Sequence, residues 1–141
     1  MLYHGDCYEI LKNKIDNDSI DLVVTDPPYD LSGSLMGSGF MKKENKKHLD
    51  ELKELKSTSF EPEPFLYLLQ SKFKNGVFNG YFFCNKSLVA RYINWAVKNG
   101  YNYDILVMSK ANPVPIFNAH HLSDLEYIVF IRSSGAFFNS K

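Results

Sequence analysis

The stretch Ile20 to Asp30 reads IDLVVTDPPYD: an apolar, β-branched run delivers an acid, two prolines and a tyrosine to its own end. Prolines there stop a strand ladder and stiffen the chain. The Asp26 carboxylate and a backbone carbonyl held by Pro27 and Pro28 can accept hydrogen bonds from an exocyclic amino group. The neighbouring Tyr29 ring can stack on a flat heterocycle. Together they form a device for holding an amino-purine or amino-pyrimidine, and the accepted hydrogen bonds favour attack by the amino nitrogen on an electrophilic methyl group. The plain structural alternative is a rigid surface turn.

The other chemistry-bearing residues are sparser. Cys7 and Cys84 stand far apart, with no C-x-x-C pair or zinc spacing, and read as two reduced thiols. His120, His121 and Asp124 invite a metal reading, but adjacent histidines on an extended chain point apart and no third ligand has suitable spacing. They read as loop residues, and no metal site is expected.

The elements that must position Asp26 follow from periodicity. LYHGDCYEILKNKI reads as an extended start, a Gly5-Asp6 turn and a short helix capped by Asp6, with Ile10 and Leu11 as its apolar pair. A turn at Asn17-Asp18-Ser19 precedes IDLVVT, whose continuous apolar run predicts a buried strand. Residues 31 to 60 change character: LSGSLMGSG is small, and 42 to 56 hold six lysines and four acids. This region reads as a mobile insertion loop, either a solvated face or a lid.

Order restarts at EPEPFLYLLQSKFK, with Pro64 at a first helical position, Phe65, Leu66, Leu68, Leu69 and Phe73 as a stripe, and Asn75-Gly76 as the stop. GYFFCN is a strand. KSLVARYINWAVKNG is the clearest helix, with Leu88, Val89, Tyr92, Ile93, Ala96 and Val97 on one face and Trp95 in the core. YDILVMSK and LEYIVFIR are strands joined by a loop, a pair free to run antiparallel. Strands alternating with helices predict an α/β fold, three-layered, with a mainly parallel sheet and helices on both faces.

The bulk numbers agree with one domain. The chain has 141 residues, 45% hydrophobic and 15% aromatic, with sixteen basic and sixteen acidic residues. Neutrality excludes a strongly basic nucleic-acid binder, so any such contact needs a local patch. No apolar run approaches the roughly 20 residues of a membrane span, and no signal peptide is evident, so the expectation is a soluble, cytoplasmic protein.

GDCYEILKNKIDNDSIDLVVTDPPYD, YFFCNKSLVARYINWAVKNGYNYDILVMSKANPVP and SDLEYIVFIR together resemble the amino-methylating DNA methyltransferases. Their signature is (Asp/Asn/Ser)-Pro-Pro-(Tyr/Phe/Trp), and the Asp form looks most like the adenine-N6 enzymes. Beginning with this motif is similar to the circularly permuted members, a partial Rossmann-like methyltransferase fold. The resemblance implies that Asp26 and Pro27 polarise the target amine, Pro28 fixes the turn and Tyr29 stacks on a flipped base. It also implies S-adenosylmethionine as methyl donor, contacted near Asp6, Cys7 and Asp26, and double-stranded DNA as partner.

The family's glycine-rich cofactor loop, Asp-Pro-Phe-x-Gly-x-Gly, is absent, as are the later Lys-Pro segment and most of the target-recognition region. LMGSGF at 35 to 40 looks like the loop locally, but no strand precedes it and no apolar helix follows. Residues 1–141 therefore read as one incomplete catalytic domain. The alternatives are a non-catalytic DNA- or partner-binding remnant, a cytosine-N4, RNA or glutamine-amide target, and an inert product with an exposed sheet edge. A homo-oligomer through an unfilled sheet edge is the further expectation.

Overall fold

The computed structural model describes residues 1–28, 60–111 and 124–136. In chain order they form helix α1 (Cys7–Asn13), strand β1 (Val23–Thr25), helix α2 (Pro62–Gln70), a 3-10 turn (Lys74–Gly76), β2 (Asn79–Cys84), α3 (Lys86–Lys98), β3 (Asn102–Ser109) and β4 (Leu125–Arg132). The insertion expected over 31–60 lies outside the described residues except for Phe60, whose ring meets Phe65 edge-on at 5.5 Å.

Local chemistry explains the helix ends. The Asp6 carboxylate accepts from the backbone N–H groups of Tyr8 (2.9 Å) and Glu9 (3.1 Å), capping α1 as expected. Asn85 does the same for α3 through Ser87 (3.1 Å) and Leu88 (3.2 Å). Helix α2 starts two residues earlier than Pro64, because Pro62 takes the first-turn position where a missing N–H costs nothing. Arg91 of α3 reaches across to Glu61 and Glu63 at that start, with Nε to the Glu63 carboxylate at 2.9 Å. This guanidinium, chiefly by hydrogen bonding, holds the Glu63 carboxyl below its ordinary range.

The four strands lie in the order β1-β2-β4-β3. β1 and β2 run parallel, with Thr25 beside Phe82, whereas β4 is antiparallel to both its neighbours. Among the described strands the sheet is thus mixed rather than mainly parallel. β3 and β4 pair antiparallel, and the sequence between them contains Pro113 and Pro115.

The described helices pack on one side of the sheet. Phe65, Leu66 and Leu69 of α2 and Leu88, Tyr92, Trp95 and Ala96 of α3 close over Phe82, Cys84, Val129 and Ile131. Tyr8 of α1 packs edge-on against Phe65 at 5.8 Å. Phe78 is the aromatic hub, 4.5 Å from Phe73, 4.9 Å from Tyr101 and 5.4 Å from Trp95. Trp95 is core as expected, but Val97 faces solvent, since the buried stripe of α3 follows positions 88, 92, 95 and 96. Gly80 is required in β2 by close approach: a Cβ there would stand 2.7 Å from the Phe82 ring, itself fully buried.

β1 departs from the expected buried strand. Leu22 is 49% and Val24 60% exposed, and only Val23 and Thr25 turn toward the helix-covered side. Among the described strands β1 lies at one edge, and Leu22 and Val24 sit on the face away from the helix-covered core.

Candidate functional site

The approach to Asp26 is laced before the strand begins. Lys72 is only 5% exposed, and its ammonium donates to the Ile15 carbonyl and to Asn17 Oδ1, each at 2.8 Å. The N–H groups of Ser19 and Ile20 donate to the Lys72 carbonyl, and that of Lys74 to the Ile20 carbonyl, all at 2.9 Å. Asp18, at φ 58°, accepts from the backbone N–H of Asn75, at φ 53°. These bonds set β1 in register with β2 and aim its carboxyl end at the end of β2.

Asp26 leaves that end one residue past the Thr25–Phe82 pair, level with Phe83 and close to Cys84. Pro27 is buried and anchors the turn, while Asp26 and Pro28 stay exposed. The antiparallel return of β4 places Tyr127 opposite Cys84, which brings Glu126 to the same end of the sheet. Partial desolvation first, and the negative charge of Glu126 second, raise the Asp26 carboxyl above the ordinary carboxylate range. Lys110 stands at the rim with its ammonium 2.7 Å from the Glu126 carboxylate. Burial pushes the Cys84 thiol up to about 11, with the Asp26 charge adding to it. Behind Cys84, Tyr92 stacks on Phe82 at 5.2 Å, and its buried hydroxyl has no hydrogen-bond partner among the described residues.

Of the residues singled out in the sequence, Asp26, Pro27 and Pro28 are thus gathered at the carboxyl ends of two parallel strands, where open α/β sheets bind ligands. Tyr29 lies outside the described residues. Asp6 and Cys7 stand at the start of α1, and neither is among the groups that perturb Asp26. The Asp6 carboxylate is already engaged as a helix cap. An open cavity of about 320 Å³, lined by Ile20, Asp21, Leu22, Lys74, Asn75 and neighbours, lies at the opposite, amino-terminal end of β1 and β2.

His120 and His121 lie outside the described residues. Among the described residues no group of three His, Cys, Asp or Glu is placed to hold a metal ion, and no helix is long and apolar enough to cross a membrane. Both cysteines are free thiols, Cys7 exposed and Cys84 buried. The sequence reading missed Glu126 and Cys84 as neighbours of Asp26. The signal was there in part: an antiparallel return of LEYIVFIR must bring its first residues to the carboxyl end of whichever parallel strand it joins.

No protein-family model matches the chain, and no curated protein matches it in sequence. Solved structures do resemble it. The M1.HpyAVI–SAM complex superposes with a TM-score of 0.60 at 20% identity, over 95% of this chain and 53% of that one. M1.HpyAVI itself gives 0.56 at 20% identity, over 92% and 55%. TTHA0409 of Thermus thermophilus, a candidate DNA modification methylase, gives 0.54 at 18% identity, over 97% and 55%. The chain spans about half the length of these structures, and at such identities the likeness is one of fold: the strands and helices that position Asp26 are arranged as in part of each of these proteins.

Proposed function

We propose that this chain supplies the base-holding side of an S-adenosylmethionine-dependent DNA methyltransferase that modifies the N6 amino group of adenine. The observation that carries the reading is the placement of Asp26-Pro27-Pro28: an exposed carboxylate on a proline-anchored turn, at the carboxyl end of β1 and beside the end of β2. The M1.HpyAVI–SAM complex and TTHA0409 share this fold, which supports the reading.

In this reading the target amine donates one hydrogen bond to the Asp26 carboxylate and one to a carbonyl of the Pro27-Pro28 turn. Accepting both N–H groups leaves more electron density on the nitrogen and fixes its direction. Tyr29 supplies the stacking face for the flipped base. The raised proton affinity of Asp26, from partial desolvation and the Glu126 charge, makes its carboxylate a stronger hydrogen-bond acceptor than an ordinary surface aspartate. When bound, the methyl donor would supply an electrophilic methyl group, with Asp6, Cys7 and Asp26 the residues proposed to contact it.

The test is methyl transfer from labelled S-adenosylmethionine to mixed-sequence duplex DNA, followed by digestion to nucleosides. N6-methyladenine supports the proposal, and Asp26→Ala is expected to lower incorporation about 100-fold or more. N4-methylcytosine would move the target to the alternative base. The second reading, a non-catalytic DNA-binding remnant, rests on the sequence, which holds no Asp-Pro-Phe-x-Gly-x-Gly segment. Salt-sensitive DNA binding without donor binding or transfer would establish that one.

A further inference from the structure

β3 is eight residues long, outermost among the described strands, and exposed along its whole length. Tyr103, Ile105, Leu106, Val107 and Met108 form an uninterrupted exposed apolar strip apart from Asp104, with Val107 54% exposed. Natural edge strands of this length usually carry a proline, a bulge or an inward lysine to block pairing. β3 carries none of these within Asn102–Ser109.

The ladder shows which backbone groups are left over. Lys110 N–H donates to the Asp124 carbonyl at 2.7 Å, continuing the register in which Met108 faces Glu126 and Asp104 faces Phe130. Even-numbered residues of β3 therefore direct their N–H and C=O groups at β4. Those of Tyr103, Ile105, Val107 and Ser109 point outward, where no described strand meets them.

We propose that this edge pairs with the same edge of a second copy, antiparallel, about a two-fold axis through Val107. Val107 then exchanges both backbone hydrogen bonds with its counterpart, and Ile105 pairs with Ser109 of the other copy on either side. Leu106 meets Met108 across the axis on one face. On that same face Asp104 of each copy comes opposite Lys110 of the other, twice by symmetry. Centring the axis on Ile105 or Leu106 places no opposite charges together, so the charge pattern selects both the register and the occupant: a strand with this sequence is complementary to itself. Each charge already has a partner on β4, Arg132 at 3.7 Å from Asp104 and Glu126 at 2.7 Å from Lys110, so the pairing assembles two alternating charge clusters. The result is one continuous sheet of four strands from each copy. This inference stands on the edge alone and does not depend on the proposed activity.

Sedimentation equilibrium of the full chain is the test. The wild type is expected to dimerise, and Val107→Lys, which sets two lysines face to face, to abolish dimerisation. Asp104→Lys places lysine opposite lysine, and Lys110→Asp places aspartate opposite aspartate, so each alone weakens the dimer by about tenfold or more. Mixed in equal amounts, these two variants restore every opposite-charge pair, and a heterodimer of near wild-type strength forms. Because the contacts within each chain are the same alone and mixed, only this intermolecular register predicts the rescue. Asp104 and Val107 are exposed and Lys110 is half-buried, and thermal unfolding confirms that each variant is folded. A monomeric wild type, or a mixture that dissociates like its components, overturns the proposal.

Discussion

Asp26 works against its surroundings. Partial burial and the Glu126 carboxylate both favour its protonated form, so the folded chain holds this proton to a higher pH than the unfolded chain does. Between the unfolded value, about 3.9, and the raised folded value, the native state binds more protons, and stability falls as pH rises. Above that window the full electrostatic penalty is present. Asp26→Asn should therefore raise the melting temperature at pH 7, and the gain should shrink on acidification below the carboxylate range. Thermal unfolding of the two proteins at neutral and acid pH checks this, and a variant less stable than wild type at pH 7 would mean that Asp26 has a stabilising partner. In the proposed base-holding role the same substitution also lowers methyl transfer, so stability and activity would move in opposite directions.

At the scale of elements, β1 is too short to place itself. Three residues paired to one neighbour contribute little, and the lacing around Lys72 does the positioning. Replacing this lysine by methionine keeps the apolar stem and removes two hydrogen bonds from a nearly buried ammonium. Lys72→Met should cost about 1–3 kcal/mol, read as a lower denaturant midpoint, with Ile15–Ser19 gaining amide exchange before the rest of the chain. Uniform exchange across the chain would show that the lacing is not a local clamp.

The sequence made much of this framework legible. The Asp6 cap, the α3 stripe through Leu88 and Tyr92, and the strands ending at Thr25 and Cys84 all follow from local chemistry acting within a few residues. What stayed hidden depends on distant partners. Lys72 reads as an ordinary surface lysine until the turn at Asn17 folds onto it. Leu22 and Val24 read as core until β1 proves to lie at an edge among the described strands. Glu126 joins Asp26 only because β4 inserts between β2 and β3, an ordering set by the packing of whole strands rather than by any residue in the motif.

For the whole molecule, the balance of sixteen basic and sixteen acidic residues meets an apolar strip on β3. With pI near 6.9, no net repulsion keeps copies apart at neutral pH. Unspecific association through apolar surface should then be greatest near pH 7 and fall on either side as net charge grows. Edge pairing centred on Val107 behaves differently, because its charges are paired across the axis and it saturates at two copies. Light scattering across pH at fixed concentration separates the two. Particles larger than a dimer should peak near pH 7 in wild type, and Val107→Lys should remove the dimer. That substitution also adds a positive charge, which moves the pH of greatest scattering upward without abolishing the peak. A scattering maximum that vanishes with Val107→Lys would mean that β3 is also the route to aggregation. In that case the edge that pairs two copies would be the one that limits how concentrated the chain can become.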